Sequence, residues 1–79
     1  MGDIDLKQSI TGRELKRAIE KAFAILGYSG VDALLSDLEG HGIALNSDKQ
    51  YQLDEINVIF ENLFGPVSNL MINKILHEL

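Results

Sequence analysis

His41 and His77 are the two side chains of this 79-residue sequence best suited to proton transfer or metal ligation near neutral pH. They stand 77 − 41 = 36 positions apart. Neither belongs to a His-x-x-x-His or Glu-x-x-His pattern, the spacings that set two ligands on one helical face. His77 is explained by a favourable charge near a helix C-terminus. The paired carboxylates Asp54-Glu55 and Asp37-x-Glu39 could serve acid–base work, but both fall on polar helix faces where solvation accounts for them. Asp48 sits in a turn and is read as lacking both the alternating oxygen ligands and the later glutamate of a calcium loop. Ser29 and Ser47 read as helix N-caps, while Ser9, Ser36 and Ser68 lack the context of a nucleophile elbow. Gly27, Gly30, Gly40 and Gly42 follow helices rather than strands and no Gly-Lys-Ser/Thr is present, so they read as helix stops, not as a phosphate cradle. The expectation is therefore no catalytic residue, no metal and no cofactor.

Nucleic-acid recognition is the remaining chemistry to weigh. Arg13, Lys16, Arg17 and Lys21 share one outer helical face, yet Glu14 and Glu20 interrupt it at pairing distance. Residues 1–21 hold five basic and four acidic side chains, whereas residues 22–79 hold two basic and eight acidic. The net charge of −5 thus resides in the later part of the chain. A recognition helix presents basic and amide side chains to the groove. The segment 30–39 carries no Lys or Arg, and 53–64 carries none beside Asp54, Glu55 and Glu61. A helix-turn-helix regulator is the alternative function, and DNA is not the expected partner.

The elements that would position these groups are helices. Thr11 and Glu14 have the spacing of a capping box, and Ile10 and Leu15 flank them as a hydrophobic staple. Leu15, Ala18, Ile19, Ala22, Phe23, Ile25 and Leu26 then recur on one face, predicting a helix over 11–26 that stops at Gly27. Ser29 and Asp32 open a second helix, 30–39, with Val31, Leu34, Leu35 and Leu38 as its stripe. The apolar residues of 43–45 tuck under the helices; a strand there has no evident partner, and a lone strand is unstable. Leu53, Ile56, Ile59, Phe60, Leu63 and Phe64 predict a third helix over 52–64, and Gly65-Pro66 turns the chain into a fourth, 66–79. Val67, Leu70, Met71, Ile72, Ile75, Leu76 and Leu79 cover about two thirds of that last helix, which marks it as buried by several neighbours. Either it is central to the domain, or it is shared with another chain.

Leu26-Gly27, Gly42-Ile43-Ala44-Leu45, Leu63-Phe64-Gly65-Pro66 and the closing Ile75-Leu76-His77-Glu78-Leu79 resemble the Nitrososphaera-type output domain, a small helical module of archaeal signalling and regulatory proteins. The likeness spans residues 13–79. It implies an intracellular interaction or output domain acting downstream of a sensing domain, with no catalytic residues to carry over.

The sequence thus predicts an all-α fold, a compact four-helix domain over 10–79 without a sheet, preceded by a polar leader over 1–9. No cysteine is present to staple it, and a single core of this size supplies only about 3–5 kcal/mol. Leu70, Ile72, Ile75, Leu76 and Leu79 are the expected interface, facing a protein partner or a second copy. The first ten residues lack an apolar signal core, and Leu6 stands where a myristoylation motif needs Ser or Thr. Cytoplasmic location, with no membrane attachment, is the default expectation.

Overall fold

The computed structural model describes residues 8–79. Its elements in chain order are β1 (Ser9–Thr11), α1 (Gly12–Ala22), a 3-10 turn (Ala24–Leu26), α2 (Gly27–Gly40), β2 (Gln50–Gln52), α3 (Leu53–Phe64), a second 3-10 turn (Gly65–Val67) and α4 (Ser68–His77). The chain is mostly helical, as the all-α expectation has it. The expectation of no sheet is corrected: β1 and β2 pair antiparallel, with Ser9 opposite Gln52, Ile10 opposite Tyr51 and Thr11 opposite Gln50. Strands of three residues are too short to show alternation, and the partner lies 41 positions away. The predicted leader is corrected with it, since Ser9 belongs to β1; the leader's residues 1–7 lie outside the described residues.

The ribbon is the joint between two similar halves. Adding 41 to any residue of the first half gives its counterpart in the second: Gly12 maps to Leu53, the turn 24–26 to 65–67, and Gly27 to Ser68, each the first residue of its element. The backbone bonds obey the same rule. Gly12 N–H donates to Lys49 O (3.0 Å) and Leu53 N–H to Gln8 O (3.0 Å). These are the first N–H groups of α1 and α3, donors that a helix itself cannot satisfy, and each is satisfied by the opposite strand. Core positions correspond too: Ile10 and Tyr51, Leu15 and Ile56, Ile19 and Phe60, Val31 and Ile72, and Leu34 and Ile75 are all buried.

Both strand-to-helix junctions are fastened by a glutamate three residues on. Glu14 Oε1 accepts from Thr11 N–H (2.9 Å) while Glu14 N–H donates to Thr11 Oγ1 (3.0 Å), the capping box that the sequence predicts. Glu55 Oε1 accepts from Gln52 N–H (3.1 Å) in the same way. Helix α3 therefore starts at Leu53, and Ser47 caps no helix: its Oγ accepts from Lys49 N–H within the turn. Ser29 is not a cap either, because α2 starts at Gly27, whose backbone is left-handed (φ 78°). The helix predicted over 11–26 ends at Ala22 and tightens into the 3-10 turn, and α4 is two residues shorter at each end than the predicted 66–79.

The wide apolar arc of α4 has an internal explanation. α4 packs against both α3 and α1, which buries Ile72 and Ile75 and partly buries Met71 and Leu76. Ile43 and Leu45 are buried beneath the helices, as expected of that connector, and Ala44 N–H donates to the Tyr51 hydroxyl (2.8 Å). That bond ties the loop to the ribbon.

Candidate functional site

Helices α1 and α2 diverge from the turn between them and leave a groove. At its turn end the groove has a volume of about 440 Å³ and is lined by Lys16, Glu20 and Ala24 from the first arm and Tyr28, Val31 and Leu35 from the second. Lys16, Glu20 and Ala24 are four residues apart, one stripe of a helix surface. A second hollow of about 200 Å³ continues past Lys16, Asp32 and Leu35 towards Glu39, Leu45 and Asn46. Val31 and Leu35 give the turn end an apolar floor, whereas the second hollow is mostly polar, with Leu45 almost fully buried beneath it. The rim carries Glu20, Asp32 and Glu39 against the single cation Lys16.

The mouth is apolar and exposed. Ile25 is 92% and Tyr28 88% accessible, and Leu26 is also exposed. Leu26 leans back over Gly30, its Cβ only 2.8 Å from where a side chain at Gly30 would begin. Across the repeat Ile25 and Tyr28 become Pro66 and Asn69, whereas Leu26 keeps an exposed apolar counterpart in Val67. The halves agree in their cores and differ at this lip. A local departure from what the fold requires is where function is to be sought.

The basic face of α1 is partly engaged within the molecule. Arg13 Nη2 donates to Asn46 O (3.2 Å) and its Nε lies 3.4 Å from Asp48 Oδ1, while Lys16 Nζ donates to Asn46 Oδ1 (3.1 Å). The reading that no later glutamate follows Asp48 is corrected: Glu55 follows it by seven residues, the separation of positions 5 and 12 in a twelve-residue calcium loop. Position 1 would then be Ala44, which has no side-chain oxygen, and position 6 Lys49, where such a loop needs glycine. Asn46 and Asp48 face Arg13 and Lys16, and Glu55 caps α3; two cations thus brace the loop from outside. The same offset puts positions 1, 3, 5 and 12 of the first half at Asp3, Asp5, Lys7 and Glu14, of which the first three lie outside the described residues. Among the described residues, no three His, Asp or Glu side chains converge as metal ligands.

The expected interface on the last helix divides. Ile72 and Ile75 are each 1% exposed and belong to the core of the single chain, so their place in an interface is corrected: no partner reaches them without opening the fold. Leu76 is half-buried against the same core. Leu70, at 67%, and Leu79 are exposed. Sequence periodicity counted all five as one arc because it cannot tell which side of α4 faces α1. It also assigned Ile25 and Leu26 to the buried stripe of a continuous helix, and the break at Phe23 turns them outward.

No helix among the described residues is long and apolar enough to cross a membrane. Comparison with known protein families, curated proteins and solved structures finds no match to this chain.

Proposed function

We propose that this chain is a small non-catalytic protein–protein interaction or output module of an intracellular signalling or regulatory system. The reading is carried by Ile25, Leu26 and Tyr28, exposed apolar side chains on or beside the α1–α2 turn, of which Tyr28 lines the groove. Isolated apolar residues on a surface need no explanation, whereas a cluster beside a concave apolar floor is the form of a docking site. Tyrosine suits such a place because it offers a large rigid surface together with a hydroxyl. The likeness to the Nitrososphaera-type output domain supports the same class of function. DNA recognition has less support, since Arg13 and Lys16 already serve the 46–48 loop.

Replacing Ile25 by Ser together with Tyr28 by Ala tests the reading, because neither side chain supports the core. Crosslinking and affinity capture from the source cell should recover a partner with the wild-type chain and lose it with the variant. A second copy of the chain, detected by light scattering, counts as such a partner. Equal recovery by the two proteins, with unchanged circular dichroism, would exclude the lip.

A further inference from the structure

We infer that the partner of the α1–α2 groove is a basic amphipathic helix of about three to four turns. The inference rests on the reading of this chain as an interaction module and adds the chemistry of what it binds. Length comes first. The groove follows α2 from Gly27 to Glu39, twelve helical rises or about 18 Å. A helix of 12–14 residues, at about 1.5 Å each, spans that distance. Shape and polarity come next. Val31 and Leu35 on the α2 wall offer apolar contact to the stripe of a helix at the turn end, with anchors at i and i+3 or i+4, and the polar second hollow receives its charged side chains. Tyr28 lines the turn end of the groove, and the exposed Ile25 lies on the adjoining turn.

Charge then selects the occupant. Glu20, Asp32 and Glu39 line the rim, and the single cation, Lys16, is already bonded to Asn46. α2 carries Asp32, Asp37 and Glu39 with no Lys or Arg. The α1 wall carries Arg13, Lys16, Arg17 and Lys21 against Glu14 and Glu20, but of these only Lys16 and Glu20 line the groove. An acidic helix would meet Glu20, Asp32 and Glu39, offset only by Lys16 among the charges that line the groove. A basic one gains complementary contacts and faster encounter.

The test uses three synthetic 14-residue peptides and the full chain. One has Leu at positions 3, 6, 7 and 10 and Lys on the opposite face; one has the same composition scrambled; one has Glu in place of Lys. Binding is followed by fluorescence anisotropy and by amide chemical shifts at about 0.1 M salt. The patterned Lys peptide should bind at least tenfold more tightly than either control and move the signals of Ile25, Tyr28, Val31 and Leu35. Asp32→Lys, at an exposed position, should weaken it at least fivefold, and Ile25→Ser with Tyr28→Ala at least tenfold. Preference for the Glu peptide at the same amides would overturn the basic partner and leave the interaction reading standing. Self-association through those amides in the absence of peptide would do the same. Equal binding by the patterned and scrambled Lys peptides would reduce the effect to bulk charge and overturn the inference. If no peptide moves those amides, the basic-helix inference fails, while the interaction reading is decided by the capture experiment.

Discussion

Gly12→Ala should be the most informative single-methyl change in this fold. A Cβ at position 12 would stand 1.9 Å from Ala44 O and 2.8 Å from Ala44 C, where ordinary contact begins at about 3.4 Å. Either α1 or the 43–45 segment must therefore retreat by about 1.5 Å. The segment is held on three counts: Ala44 N–H is bonded to the Tyr51 hydroxyl, Ala44 O accepts from Ser47 N–H, and Ile43 and Leu45 are buried on either side. α1 is held by the Gly12 N–H bond to Lys49 O. Forcing an extra carbon into such a site costs about 1–3 kcal/mol, at times more, while the better helix propensity of alanine returns about 0.5–1 kcal/mol. A net loss of about 2 kcal/mol is expected, a large share of the roughly 3–5 kcal/mol such a core supplies. The melting temperature followed by circular dichroism at 222 nm should fall by roughly 8–16 °C. Gly40→Ala is the control, since nothing lies within 4 Å of its added Cβ; it should leave the melt unchanged or slightly raised. A Gly12→Ala melt at or above wild type would mean that propensity decides and that the close approach does not hold.

Gly65→Val should cost about 1 kcal/mol or more, because φ is +64° at the corner between α3 and α4; urea denaturation measures it. Tyr51→Phe removes the hydroxyl that receives Ala44 N–H and should cost about 1 kcal/mol, with faster hydrogen exchange at Ala44. Ile72→Lys should leave the chain unfolded by circular dichroism, since a buried unpaired charge costs more than the roughly 3–5 kcal/mol available. Leu70→Lys, at an exposed site on the same helix, should change stability by no more than about 0.5 kcal/mol.

Local signals in the sequence were legible wherever local chemistry decides the structure. Thr11 and Glu14 announce the start of α1 because both partners of the capping box lie within one turn. Leu53, Ile56 and Phe60 mark the buried face of α3 by spacing alone. Pairing between Ile10 and Tyr51 was not legible, since it depends on contact across 41 positions between two three-residue strands. The repeat stayed hidden for a related reason. Its halves keep apolar character at matched positions while the residues change, Ile19 becoming Phe60 and Leu34 becoming Ile75, with Glu14/Glu55 and Phe23/Phe64 among the few identities. The groove was missed because Ile25 and Leu26 fit the helical period of α1, and no periodic pattern reveals that the helix tightens after Ala22.

The ribbon also carries a cost in assembly. Its strands are the ends of a closed loop of about 40 residues, and closing such a loop costs about 3 kcal/mol in chain entropy. A cross-strand pair such as Ile10–Tyr51 returns only about 0.2–1 kcal/mol. The strand pair alone does not repay that closure, so the burial of α1 against α4, which joins the same two halves, must contribute to it. Neither half contains the whole core, because α4 from the second half covers α1 from the first. Unfolding one half strips the other, so fluorescence and circular dichroism should report coincident unfolding transitions.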